Sequence, residues 1–351
     1  MECGIQTDIK TNRNGYADFL KGLLVILVVL GHVIQSGYND TKFYENFAFK
    51  LIYSFHMPLF AIISGYYYYF SLRKKSTVSV ILNKAKYLLI PIIVCSGAIK
   101  LAGIVRHWGE RSLKQEFLGY IDFVCHAYWF LRITFICCVI VGIIYVLSRK
   151  VEWIENILLV LAGISIFFIH NGGYLQFLLP FFIIGYIANK YKILEHFGYI
   201  KDKYLFLLLF SVMYIVLVYY KMQPNVYIYN NGESLLEIGW TLRVATLWRV
   251  VFGFVGSIWF IWLTYFIYHS IKLKFSALSK LGQLSLEMFV MQDRIVGLCA
   301  MVSSKITTVS VYYVIIDLII TMIVTLGVIF IIKKSKIVNV LIFANHNPNV
   351  L

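Results

Sequence analysis

Ten apolar stretches, divided by short polar runs rich in Lys and Arg, make up nearly the whole chain. They extend approximately over 18–37, 44–70, 84–105, 124–147, 153–169, 174–189, 204–220, 246–269, 281–302 and 309–332. About 20 helical residues span a hydrocarbon core of ~30 Å, so the pattern predicts an all-α polytopic membrane protein with about ten transmembrane helices. Basic residues set the expected orientation. Lys10 and Arg13, Arg73 to Lys75 with Lys84 and Lys86, Arg149 and Lys150, Lys190 to Lys203, Lys272 to Lys280, and Lys333 to Lys336 all fall on one side. That side is the cytoplasm under the positive-inside rule, and an even number of crossings then leaves both termini cytoplasmic. The expected outer loops hold only Lys42, Arg106, Arg111, Lys114, Lys221, Arg243 and Lys305.

Composition agrees with this pattern. Of 351 residues, 60% are hydrophobic and 14% charged, and the mean hydropathy is +0.78, outside the range of soluble domains. The net charge of +15 is spread between the apolar runs as a topology signal, so no nucleic-acid partner is expected; the lipid bilayer is. The six cysteines (Cys3, Cys95, Cys125, Cys137, Cys138, Cys299) contain no CxxC pair, which points to neither a metal site nor a disulfide framework. The first apolar run lacks an A-x-A-like cleavage site and reads as an uncleaved span. A single membrane domain over 1–351 is expected, with its core at about 16–333 and short polar tails. The longest interval between runs, 221–245, is the loop with room for recognition.

Within the first run, ADFLKGLLVILVVLGHVIQ, Asp18, Lys21 and His32 break the apolar pattern. On a helix they fall within an arc of about 60°, and His32 stands about 16 Å beyond Lys21, roughly half of the hydrocarbon core. An intramembrane ionisable group points to function. An imidazole with an ordinary pKa near 6.5 suits general-base work. Lys21 is placed to anchor an anionic donor, or to act as a snorkelling lysine that sets topology; Asp18 is placed to pair with it. In SFHMPLFAIISG, His56 precedes Pro58, which frees the Ser54 carbonyl, and Ser64-Gly65 permits close helix approach. Arg132, about eight residues inside the fourth run, needs an anion, a carbonyl or water, and so faces a cavity. In LGQLSLEMFVMQDRIVG, Glu287 and Arg294 share a face and form either a site or an internal charge network. Asn39-Asp40-Thr41 matches the glycosylation sequon, a weak signal.

Five places along the chain carry a family resemblance: Asp18-Phe19-Leu20-Lys21-Gly22 with Leu30-Gly31-His32; Phe55-His56-Met57-Pro58-Leu59-Phe60 with Ser64-Gly65-Tyr66; Trp129-Phe130-Leu131; Leu179-Pro180-Phe181-Phe182 with Gly185; and Leu281-Gly282 with Ser285-Leu286-Glu287. In order and spacing the chain resembles the acyltransferase type 3 family of integral-membrane carbohydrate O-acyltransferases. The resemblance implies that His32 is the catalytic histidine and Lys21 its basic partner. It further implies acetyl-CoA as co-substrate with no bound cofactor, and a carbohydrate acceptor, met in a bacterial inner membrane. Asp18, His56, Trp129, Arg132, Glu287 and Gln292 are the expected substrate-binding residues. Two positions depart from the family pattern. Lys21 stands where Arg is usual, which keeps the charge and loses bidentate contact, and Gln292 stands where histidine is common. The alternatives from other classes are a flippase for a lipid-linked saccharide and a sensor in which His32 reads pH.

Overall fold

A computed structural model describes residues 15–37, 41–106, 112–149, 151–193, 203–223, 226, 233–270, 275–306 and 311–344. Lys10, Arg13, Lys150, Lys201, Lys272 and Lys274 of the expected inner basic groups lie outside these residues. So do Arg111, Cys3 and the sequon residues Asn39 and Asp40, together with the side chains of Thr41, Lys42, Arg106, Lys203 and Lys305.

The described residues are predominantly helical, with no strand among them. In chain order the helices are α1 (Gly15–Gly37), α2 (Phe47–Lys74), α3 (Thr77–Arg106), α4 (Leu113–His126), α5 (Trp129–Leu147), α6 (Glu152–Ser165), α7 (Tyr174–Lys190), α8 (Lys203–Lys221), α9 (Trp240–Ser270), α10 (Ser276–Gln283), α11 (Ser285–Ile306), α12 (Val311–Lys334) and α13 (Lys336–Phe343). Seven are long and apolar enough to cross a membrane: α1, α2, α3, α5, α8, α9 and α12. The protein is a multi-pass membrane protein. The other three apolar runs form helices of different character. The 14-residue α6 is continued by a 3₁₀ turn, Ile166–Phe168. Helix α7 has 17 residues, and α11 is interrupted by Glu287, Asp293 and Arg294.

The fourth run is not one helix, as its apolar character predicts, but breaks at Tyr128. That residue adopts the left-handed conformation (φ 49°) and caps α5. The segment before it belongs to α4, a helix with no buried residue, fixed at its start by a Ser112–Gln115 capping box. Arg132 therefore sits in the first turn of α5, nearer the helix end than the run suggests. The 221–245 interval is likewise shorter than expected, because α9 begins at Trp240.

Two glycine crossings set the core. A Cβ on Gly65 of α2 would stand 1.9 Å from the Phe182 carbonyl oxygen, and one on Gly185 of α7 would stand 1.9 Å from that of Ile62. Helices α2 and α7 thus touch backbone to backbone, as Ser64-Gly65 predicts. Pro58 lies within α2 without ending it; the Ser54 hydroxyl donates to the Leu51 carbonyl (2.6 Å) and bonds the Tyr214 hydroxyl of α8 (2.6 Å). Tyr16 at the start of α1 donates to the Ile261 carbonyl (2.8 Å) and packs edge-on against Tyr265 and Tyr268 near the end of α9. Helices α1 and α9 are therefore antiparallel, and the start of α9 lies at the His32 end of α1.

Two lysines read from sequence as inner-loop topology signals are buried ion-pair partners. Lys190 Nζ meets Glu155 Oε2 at 2.8 Å, and Lys333 Nζ meets Glu287 Oε1 at 3.2 Å. Glu155 also accepts a short hydrogen bond from Tyr186. Buried charges are retained only with such partners.

Candidate active site

Helix α1 holds the candidate face rigidly because its N-terminal half is clamped by α10. A Cβ on Gly22 would lie 2.0 Å from the Leu278 carbonyl oxygen. At this contact Asp18, 3% exposed, pairs with Lys21 Nζ at 2.8 Å and accepts from Gln283 Nε2 at 3.2 Å. Asp18 is therefore engaged in orienting Lys21, and Gln283 is a third member of the group. An ammonium has three donors, and Lys21 also faces a cavity.

That cavity, of about 140 Å³, runs along α1. Lys21, Val25, Val28 and Val29 form its α1 wall, with Ser64 of α2, Thr134 of α5 and Gln292 of α11 among the facing residues. Lys21, Val25 and Val28 are spaced by four and three residues, and His32, four beyond Val28, continues the same stripe. Both Gln292, 2% exposed, and Thr134 place a buried side-chain oxygen here without a hydrogen-bond partner among the described residues. Such groups cost free energy unless a ligand or water completes them.

Beyond the cavity stand two histidines. Gln35 and Asp293 are the polar neighbours of His32, Asp293 within charge-interaction range. His56, 3% exposed, lies within the same range of His32 and of Arg249 on α9. Its Nδ1 is 2.8 Å from the Ile52 carbonyl. A carbonyl only accepts, so Nδ1 carries the hydrogen and neutral His56 keeps a bare Nε2. Gly31 admits the Tyr53 ring beside this pair; a Cβ there would be 2.6 Å from it, and Tyr53 meets His56 edge-on at 4.6 Å.

Lys21, Asp18, His32, His56 and Gln292 are thus arranged around one stretch of α1. Trp129 stacks on Tyr174 at 4.2 Å, and its neighbours Phe130 and Leu131 line the cavity. Arg132 keeps Nη1 buried without a partner among the described residues. Glu287 is held by Lys333. Two features were missed in the sequence. Arg249 lies over the Phe177 ring at 4.1 Å and donates to the Val226 carbonyl at 3.1 Å. Helix α12 buries Tyr313, Asp317, Thr321, Thr325, Ile329 and Lys333, an unbroken i, i+4 stripe. The signal for α12 was present, since Asp317 is a carboxylate inside an apolar run.

The sequence profile described as "Acyltransferase domain" matches residues 14–334. Two curated relatives are both called nodulation protein NolL. The protein of Mesorhizobium japonicum is 27% identical over 222 residues, covering 63% of this chain and 59% of its own length. That of Sinorhizobium fredii is 29% identical over 226 residues, covering 63% and 60%. The matched region thus spans about three-fifths of these relatives. No solved structure matches.

Proposed function

From a chain that belongs to the acyltransferase type 3 family, we propose a membrane O-acyltransferase that moves acetyl from acetyl-CoA to a hydroxyl of a cell-surface or exported polysaccharide or its lipid-linked precursor. One observation carries the reading: a cavity that starts at Lys21 and follows α1 toward His32, with unsatisfied polar oxygens on its opposite wall. Lys21, steadied by Asp18, attracts the phosphates of the donor. The apolar walls exclude water from the thioester. The acceptor hydroxyl attacks the thioester carbonyl, its proton passes to a nitrogen of His32, the C–S bond breaks and the proton leaves with the coenzyme thiol. A variant of this path has the acetyl rest on His32 before reaching the hydroxyl. His56, with its bare Nε2 and its position beside His32, accepts a hydrogen bond from the acceptor. Gln292, Arg132 and Trp129 complete the substrate-binding set, with Glu287 positioned through Lys333.

The proposed setting is the bacterial plasma membrane, crossed about ten times by one domain, with both termini cytoplasmic. The seven long helices are joined in this count by α6 with its 3₁₀ turn, α7 and α11. Purified protein incubated with radiolabelled acetyl-CoA and a glycan acceptor tests the activity. Label on the glycan, lost in His32→Ala and reduced at limiting donor in Lys21→Ala, supports it. Transfer at the wild-type rate by folded His32→Ala overturns the mechanism.

A further inference from the structure

A second cavity, of about 400 Å³, opens between the end of α8 and the start of α9. Its volume falls in the range of small-molecule sites, about 300–1,000 Å³. Tyr220, Trp240 and Trp248 supply its aromatic surface, and Lys221, Gln223 and Thr241 its polar groups. We infer that this cavity is the docking subsite for the saccharide of the acceptor; the inference rests on the acyltransferase reading and deepens it.

The chemistry of the lining selects the ligand class. A pyranose ring has faces of C–H bonds, which pack on indole and phenol rings, and a rim of hydroxyls, which need donors and acceptors. The cavity offers both. Gln223 is held in place by its amide, which donates to the Tyr220 carbonyl at 3.0 Å. Trp248 is backed by Phe252, with ring centroids 5.7 Å apart and planes at 31°. Trp240 is 76% exposed, so its ring is open to an incoming chain.

Position links the cavity to the chemistry. Val226 lines the cavity, and its carbonyl accepts from Arg249 Nη1 at 3.1 Å. Arg249 lies within charge-interaction range of His56, which lies within that of His32. The start of α9 shares the His32 end of α1, and Phe47 at the start of α2 packs against Tyr219 at the end of α8 with centroids 6.1 Å apart. A saccharide held on the tryptophans thus reaches toward the histidine pair from the side opposite the Lys21 end of the first cavity. Donor and acceptor would meet from two directions.

The full-length protein in detergent, titrated with maltotetraose, cellotetraose and chitotetraose and separately with phosphocholine, tests this through tryptophan emission. At least one tetrasaccharide is expected to give a saturable shift. Trp240→Ala, Trp248→Ala and Gln223→Ala should each weaken that binding about tenfold or more, while Trp153→Ala, at a tryptophan 65% exposed on α6, binds as wild type. A retained unfolding transition in Gln223→Ala shows that the loss is not misfolding. The inference falls if no tetrasaccharide shifts the emission, if the shift survives all three substitutions, or if phosphocholine displaces the saccharide and the aromatics are interfacial anchors. Labelled acetyl transfer on the same preparations separates the two readings. Transfer without saccharide binding sinks the subsite alone, and binding without transfer sinks the enzyme reading.

Discussion

Gly22 and Gly282 meet backbone to backbone: a Cβ on Gly282 would stand 2.8 Å from the Gly22 nitrogen and 1.7 Å from the Asp18 carbonyl oxygen. Neither obstacle is a side chain that can rotate away, so any added methyl must push α1 and α10 apart. The same contact carries the Asp18 and Gln283 side chains that hold Lys21. Packing and the proposed donor site are therefore one structure.

Gly282→Ala and Gly22→Ala should each cost about 1–3 kcal/mol or more through overpacking, lowering the unfolding midpoint in detergent, and should also weaken donor use by moving Lys21. Gly327→Ala is the control, because a Cβ there meets nothing within 4 Å. Equal midpoints and transfer rates for Gly282→Ala and Gly327→Ala would refute the coupling.

Gln292 and the fold pull in opposite directions. Its buried Oε1 has no partner among the described residues, and leaving such an acceptor unsatisfied costs about 1–3 kcal/mol. Gln292→Leu should hold or raise the unfolding midpoint while lowering acetyl transfer at least severalfold. A variant both less stable and fully active would show that the amide serves packing rather than substrate.

Much of the candidate site's geometry was legible in the sequence because its signals are local. Asp18, Lys21 and His32 share a face by helical period alone, and Ser64-Gly65 marks a close crossing without knowledge of its partner. The positions that were not legible depend on distant segments. Lys190 and Lys333 look like loop charges until Glu155 and Glu287 are brought to them. Tyr128 breaks an apolar run by adopting φ 49°, which no residue type there announces. Arg249 sits near the start of the eighth apolar run, and only the fold brings it within charge-interaction range of His56.

Orientation is checked by thiol access. Cys125 is exposed on α4, on the expected outer side, whereas Cys3 belongs to the expected cytoplasmic tail. A membrane-impermeant maleimide should label Cys125 in intact spheroplasts and Cys3 only after permeabilisation. The reverse pattern would invert the topology.

Acid should loosen the segment that leads into α9. Glu237 accepts from His170 Nδ1 at 2.7 Å and from the Ser234 amide at 3.2 Å, and chiefly the His170 bond holds its carboxyl below the usual glutamate value. A depressed carboxylate pKa contributes order that is complete above the ordinary value and lost as pH falls through the depressed one. Amide exchange over residues 234–238, corrected for the intrinsic pH dependence, should rise as pH drops below about 4. His170→Ala should move that rise to higher pH; an unmoved profile would remove His170 as the cause.

The buried pair Glu287 and Lys333 gives the sharpest separation of structure from chemistry. Their side chains meet at 3.2 Å and are 5% and 1% exposed, so either one alone is an uncompensated buried charge. Glu287→Met or Lys333→Met should each cost about 3–5 kcal/mol, while the double substitution should recover most of that loss because the desolvation penalty disappears with the charges. Transfer by the recovered double variant then decides the role of Glu287. Positioned through Lys333, it holds α11 against α12 and thereby keeps Gln292 at the cavity, so the folded double variant should retain acetyl transfer with a raised donor KM. A stable double variant with no transfer at saturating donor would place the Glu287 carboxylate itself in contact with substrate.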